Sequence, residues 1–373
     1  DEFVAVSAFG PISVWDVSRV TSLASAFDAS VTSLANASTF DDAIGSWDVS
    51  SVTTMLRMFY SAAAFNQPLD FDVGSVTDMG HMFRDTASFN QPLGFDTGSV
   101  TDMSGMFHMA FAFNQALNFD MSSVTTVDST FQKAYAYNQP LAFDTSKVTT
   151  MAEMFRTASA FDKPLTWDVG SVTSMSAMFY HAVAYNKPLA FDAGSVTTMN
   201  SMFYNAFAFD QPLNFTAGRV IDMIWMFYCN GGSCVYNQPL ALDVGSVADM
   251  DSMFLGADAF NQPLLFDTGN VTSMATSLSV TATFDQSLFW DTSKVTDMSS
   301  MFKIAVVFNQ PLLAFDTSSV SAITQMFSHA YAFNQPLAFD VSSVSAMTYM
   351  FYNADLFNQP LAFDTRKVTT MAY

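Results

Sequence analysis

The sequence predicts a repeat solenoid, on three observations. Identical short words recur at a fixed 24-residue period, each period holds an apolar pattern that fits one short strand and one short helix, and no composition shift interrupts 373 residues. A fixed period between identical words outranks a residue-by-residue reading of secondary structure. An aromatic followed by Asp stands at Asp48, Asp72, Asp96, Asp120, Asp144, Asp168 and Asp192, always 24 residues apart. The register continues at Thr216, takes three extra residues to Asp243, and runs through Asp267, Asp291, Asp316, Asp340 and Asp364 with one further single-residue insertion. An earlier, looser unit carries Trp15 and Asp16. The chain reads as about fifteen repeats in a single stack.

The best-preserved copies spell Phe-Asn-Gln-Pro-Leu-x-Phe-Asp-Thr-Ser-x-Val-Thr-x-Met-x-x-Met-Phe-x-x-Ala. From Val148, the apolar residues Met151, Met154, Phe155 and Ala158 follow at offsets of three, six, seven and ten, which predicts a short helix or helical turn with one apolar face. Leu141 and Phe143, or Leu189 and Phe191, alternate with an intervening residue, which predicts a short parallel strand with one buried face. Pro140 and Pro188 lack an amide proton and belong at the strand opening. Asp-x-Ser/Gly makes the turn. One such unit cannot bury its apolar face alone, so the repeats must stack around a shared core filled by 39 Phe and 25 Met. Trp47, Trp167 and Trp290 replace Phe, and Val127 or Ile323 replaces Met, so apolar bulk is kept at those positions.

The expected organisation is one solenoid domain over 1–373, with irregular N-terminal coils in 1–47, regular repeats in 48–373 and an insertion at 229–234. The net charge is −21, from 34 acidic against 13 basic residues, so no basic stripe is available for nucleic acid. No apolar run is long enough to span a membrane. The chain begins without Met or a signal peptide, as a mature or trimmed segment would, and stops halfway through a repeat, which suggests a longer chain or an end that docks on another subunit. Cys229 and Cys234 bracket Asn-Gly-Gly-Ser in the one repeat that is three residues longer than its neighbours, which predicts a disulfide pinching the insertion in an oxidising compartment. Asn36, Asn214 and Asn270 begin glycosylation sequons, and at Asn214 the sequon arises because Thr216 replaces the repeat's Asp.

Three polar ladders invite functional readings. The Asn column, Asn66 to Asn358 with Asp162, Asp210 and Asp285 among its members, reads as an amide ladder serving turn backbone. The anchor Asp column could hold calcium, but Asx-turn capping is the simpler role, so no cofactor is expected. The Thr column from Thr53 to Thr197, broken at Ile221 and Ala248, fits a helix start better than an ice-binding plane. No nucleophile elbow, phosphate loop or zinc motif appears, so no enzyme is expected. Leu265, Phe289 and Leu313 stand where earlier repeats carry Asp70, Gly94 and Asn118, and predict an exposed lateral interface.

The words Trp47-Asp48-Val49-Ser50-Ser51-Val52-Thr53-Thr54-Met55, then Met58-Phe59 and Phe65-Asn66-Gln67, resemble the BspA-type leucine-rich-repeat-like surface proteins, and more specifically a related repeat family of unknown function found in bacterial and microalgal surface proteins. The resemblance covers almost the whole chain and recurs in every unit. It implies a right-handed, leucine-rich-repeat-like solenoid on the cell exterior, used in adhesion, surface layers or appendages, with no catalytic residues to carry over. Gln-Pro-Leu before the aromatic-Asp pair and the scarcity of Lys depart from the common pattern. Two roles follow as expectations. One is an extracellular structural subunit that associates with itself or with other extracellular structural proteins; the other is an adhesin-like module that recognises a glycan or a protein.

Overall fold

The computed structural model describes residues 11–31, 37–213, 217–231 and 234–372. Contacts gather into two compact units, Asp1–Val172 with Met178–Lys187, and Thr173–Ala177 with Pro188–Tyr373. In the first unit, isolated parallel bridges join Thr54 to Asp78, Asp78 to Asp102, Asp102 to Thr126 and Thr126 to Thr150, with a second series from Leu69 through Leu93 to Leu117. The irregular N-terminal repeat enters the same ladder through Ser22 and Thr54, despite its 32-residue spacing. The second unit repeats the pattern from Ser174 through Thr198, Asp222, Asp249, Ser273, Asp297, Ala322 and Ala346 to Thr370. Each bridge is a single residue pair, so the expected strand is reduced to its point of contact. Pro68 directly precedes the bridging Leu69, the place its missing amide proton favours.

Of the two forms expected for the Met-rich half, a short helix or a helical turn, no helix forms. Among the described residues the only helical segments are two short 3-10 turns, Ile12–Val14 and Ala37–Thr39, and neither lies in the Met-rich half of a repeat. That half is a run of four-residue turns. Met58 N–H donates to Met55 O at 3.0 Å, Tyr60 to Arg57 at 3.1 Å, and Ala62 to Phe59 at 3.0 Å. The intervening amides point to the next repeat: Met55 donates to Asp78 O, Arg57 to Gly80 O, Phe59 to Met82 O and Ser61 to Arg84 O, at 2.8–2.9 Å. Such alternation requires left-handed backbone at the third residue of two turns, as in type II geometry. Arg57 and Ser61 have φ of 57°, and the same two positions are left-handed in Ser129 and Lys133, and in Ser300 and Ile304. A chain of four-residue turns buries Met55, Met58, Phe59 and Ala62 at three- and four-residue intervals, so it imitates helical periodicity.

Aromatic side chains stack in register behind this backbone. In the first unit, Phe59, Phe83, Phe107, Phe131, Phe155 and Phe179 follow one another at 5.5–5.7 Å between ring centroids. Phe65, Phe89, Phe113, Tyr137, Phe161 and Tyr185 form a second column at 5.9–6.2 Å. The columns touch at about 4 Å inside each repeat, as between Phe59 and Phe65 at 4.0 Å. Because backbones stack at roughly 4.8 Å, centroids this far apart are slid sideways, the offset arrangement that ring quadrupoles favour. In the second unit one column runs unbroken from Phe209 through Tyr236, Phe260, Phe284, Phe308 and Phe333 to Phe357. The other is interrupted where buried Leu278 takes the Phe position.

Polar exchanges in the core carry their own partners. Trp47 Nε1 donates to Ile12 O at 3.0 Å, and Trp167 and Trp290 donate to Leu141 O and Leu264 O at 3.2 Å, so each added indole N–H meets a carbonyl of an earlier repeat. Where Thr replaces Val after the anchor Asp, its hydroxyl donates to the next repeat's Asp carbonyl, as from Thr145 to Asp168 at 2.6 Å and from Thr292 to Asp316 at 2.8 Å. Burying a hydroxyl or an indole N–H is tolerated when the hydrogen bond is made.

Gly256 tests how tightly these repeats fit. It is left-handed at φ 75°, and a Cβ there would lie 2.0 Å from the Cys229 carbonyl oxygen. A Cβ at Gly94 would meet nothing within 4 Å. Gly256→Ala is expected to destabilise the protein by about 2 kcal/mol or more, and Gly94→Ala to leave it within about 0.5 kcal/mol, both read from denaturant midpoints followed by circular dichroism. Equal midpoints for the two variants would contradict the close approach.

Candidate functional site

The Asn column is a main-chain acceptor ladder. Asn90 N–H donates to Asn66 Oδ1, Asn114 to Asn90 and Asn138 to Asn114, each at 2.9 Å, and the following Gln returns to the same oxygen, as from Gln115 Nε2 to Asn90 Oδ1 at 3.1 Å. Only an acceptor oxygen is needed, which explains the Asp substitutions. Asn186 N–H donates to Asp162 Oδ1 at 2.9 Å, and Asn237 N–H to Asp210 Oδ1 at 2.9 Å. At Asp162 the Gln position of the next repeat holds Lys187, whose Nζ sits 2.6 Å from Asp162 Oδ2, so a charged pair replaces an amide pair in the same geometry.

The anchor Asp residues close Asx turns. Asp48 Oδ1 accepts from the Ser50 amide at 3.1 Å and its hydroxyl at 2.6 Å, and Asp72, Asp243 and Asp340 accept from the amide two residues on. Hydrogen bonds from Ser50 hold Asp48 below the usual carboxylate range, and those from Ser122, Ser293 and Ser342 do the same for Asp120, Asp291 and Asp340. Among the described residues no group of three or more His, Cys, Asp or Glu is arranged to hold a metal ion. The Thr column does not cap helices, since none exist there. Thr77 N–H and Oγ1 both donate to Thr53 O, at 2.9 and 3.2 Å, and Thr101, Thr125 and Thr149 repeat the arrangement one repeat further on each time.

Nothing in the repeat pattern points to two neighbouring imidazoles, His108 buried and His81 half-buried. His81 and His108 lie in successive repeats of the first unit, each with a buried Nδ1 that has no hydrogen-bond partner. Burial, aided by Arg84, pushes both below the usual histidine value, His108 down to about 3. A Cβ at Gly105 would lie 2.2 Å from His81 Nδ1, so the glycine makes room for the ring. Sequence periodicity could not find this pair, because the two histidines occupy different positions within their repeats.

Leu265, Phe289 and Leu313 are 79%, 74% and 74% exposed, while their neighbours Leu264, Phe266, Leu288, Trp290 and Leu312 are buried. The three form one ridge in the second unit, beside the exposed carboxylates of Asp267, Asp291 and Asp316, two or three residues further along each repeat. Cys229 and Cys234 form a disulfide with Cα atoms 6.0 Å apart. A cleft of about 400 Å3 opens beside it, lined in part by Tyr228, Asn230, Gly256 and Asp258. Of the sequons, Asn36 and Asn214 lie outside the described residues. Asn270 is exposed, but its amide Nδ2 donates to Gly245 O at 2.7 Å, the bond that Ser246 Oγ makes to Gly218 O in the preceding repeat.

The family described as "Mycoplasma protein of unknown function, DUF285" matches residues 2–118, 30–142, 93–190, 141–240, 221–335 and 288–373. The chain belongs to this family. Its six overlapping matches reproduce the tandem organisation seen in the ladders. No curated protein and no solved structure matches. Among the described residues no helix is long and apolar enough to cross a membrane.

Two expectations follow from the ladders and the imidazoles. Asn114→Ala strips the acceptor from Asn138 N–H and leaves Gln139 Nε2 only the Asn114 main-chain carbonyl, and is expected to cost about 1–3 kcal/mol. Asn114→Asp keeps an acceptor and is expected to cost less than half as much, as urea denaturation at neutral pH would reveal. For His108 the folded value near 3 lies below the unfolded 6.5, so the unfolded chain binds the extra proton. Stability is full above pH 6.5 and falls as the pH drops toward 3, with a slope approaching about 1.4 kcal/mol per pH unit. His108→Gln should lessen the fall of denaturation midpoints between pH 6.5 and 4.5, above the range where the Asx carboxylates protonate, with His81 and His181, also held below the usual histidine value, supplying what remains.

Proposed function

We propose that this chain is a non-catalytic, extracellular structural protein, a leucine-rich-repeat-like solenoid that associates laterally with copies of itself in a surface filament, appendage or layer. The observation that carries the reading is the ridge of Leu265, Phe289 and Leu313, three large apolar side chains left in water on successive repeats of a column whose other members are small or polar. Ala241 precedes the ridge and Ala338 follows it at the same repeat position, so the apolar bulk is confined to one stretch. Around it, anchor Asp, Asn and Thr side chains are engaged in holding repeat to repeat, which suits a rod more than a reader of ligands. The disulfide accords with an oxidising, extracellular setting. Kinship with BspA-type surface proteins belongs to the same proposal, and rests on the Trp-Asp-Val-Ser-x-Val-Thr-x-Met words.

Charge decides how such an association behaves. A chain of net charge −21 repels its copies, and that repulsion is screened within about 10 Å at 0.1 M salt. Apolar contact at the ridge survives salt, so association should strengthen as ionic strength rises. In sedimentation velocity runs, the protein is expected to be smaller at low salt and to associate at high salt. Replacing Leu265, Phe289 and Leu313 together by Ser should hold it dissociated at both. A protein monodisperse at every salt and concentration, or one whose assemblies ignore the triple substitution, would rule out the ridge.

A further inference from the structure

We propose that the cleft beside the Cys229–Cys234 disulfide is a binding site for a neutral saccharide unit. The repeat that holds it departs from the pattern in several ways at once. It carries the three-residue insertion, contains the disulfide, and breaks the Thr column with an exposed Ile221. A three-residue insertion closed by a disulfide occurs in no other repeat. The concentration of these departures in one repeat marks a place selected for something other than stacking.

The chemistry of the cleft is that of a sugar site. Tyr228 lines it, and its ring is fixed by stacking on Tyr204 at 4.3 Å between centroids with planes 20° apart. With one face taken by Tyr204, the immobilised ring offers its remaining apolar surface to the C–H groups of a pyranose at small conformational cost. Asp258 and Asn230 supply a carboxylate and an amide, the groups that accept from and donate to adjacent hydroxyls. Among the described residues no hydrogen bond or ion pair engages the Asp258 carboxylate, the Asn230 amide or the Tyr228 hydroxyl. The Asn230 main chain is nonetheless anchored, its N–H donating to Asn205 Oδ1 at 2.7 Å. Gly256 brings main chain into the lining, where a side chain would strike the Cys229 carbonyl.

Neutrality of the ligand follows from the charges. Among the described residues no Lys, Arg or His lines the cleft, so a phosphate, sulfate or uronate would meet Asp258 with no cation to balance it. A lone pyranose buries little surface, so affinity in the roughly millimolar range is expected, raised when several units of a polymer are engaged.

Saturation-transfer NMR on the intact, disulfide-bonded protein tests this with glucose, galactose, mannose and N-acetylglucosamine, and with glucuronate and free lysine as charged counter-probes. At least one neutral sugar should bind saturably. Tyr228→Ala and Asp258→Asn should each weaken that binding about tenfold, while Phe289→Ser on the ridge leaves it unchanged. Circular dichroism melts of the variants establish that the fold persists, and Asp258→Asn, being isosteric at a half-buried position, keeps the test valid where Tyr228→Ala unfolds. Binding of none of the neutral sugars, preference for glucuronate or lysine, or sugar binding indifferent to Asp258→Asn would overturn the proposal. Because the ridge variant is scored separately, the lateral association can fail while the saccharide site stands, and the reverse.

Discussion

Everything in this protein depends on each repeat presenting its carbonyls to the amides of a neighbour 24 residues away. The Met-rich half shows the constraint most directly. Amides at Met55, Arg57, Phe59 and Ser61 bond to the following repeat, and the amides between them close turns within their own. Left-handed backbone at non-glycine positions such as Arg57 and Ser61 is the consequence, a conformation L side chains adopt only when surroundings over-determine it. Those surroundings are the stacked repeats themselves, so an isolated unit would have no reason to hold this shape. Stability is then a sum over neighbouring repeats more than a property of any one of them.

Once the backbone register is set, side chains inherit it. Phe59 stacks on Phe83 and Phe65 on Phe89 because their Cα atoms are already aligned, and Asn66 accepts from Asn90 for the same reason. The alignment also governs which substitutions survive. Trp for Phe is accepted where a carbonyl waits for the indole N–H, and Asp for Asn where only an acceptor oxygen is used. The phenols of Tyr137 and Tyr236, buried without a partner in the second aromatic column, are the exceptions. Burial pushes both phenols above their ordinary values, so they remain neutral.

The repeat length, the stacking, the Asn ladder and the Asx turns were legible in the sequence because each is a column property, and fifteen or so copies average away local noise. The helix was not. Met151, Met154, Phe155 and Ala158 have the spacing of a helical face, but runs of four-residue turns generate the same intervals, and period alone cannot separate them. Carbonyls of the neighbouring repeat decide the matter, and a sequence pattern read within one repeat does not contain them. His81 and His108 escaped for a related reason. They influence each other's charge from different positions in successive repeats, so no column shows them together.

Regularity and function pull in opposite directions here. A side chain that bonds the next repeat is occupied, and the more perfect the ladder the fewer groups remain for a partner. Thr77 illustrates the rule: it is exposed, yet its hydroxyl is directed at Thr53 O. Partners must therefore be sought where the pattern fails. Two failures stand out in the second unit: apolar bulk at Leu265, Phe289 and Leu313, and the inserted, disulfide-closed loop with the polar groups of Asn230 and Asp258 beside it. They differ in kind. The first exposes surface that water disfavours, and the second exposes hydrogen-bonding groups beside an aromatic ring. The proposed lateral contact draws on the first, and the proposed saccharide site on the second.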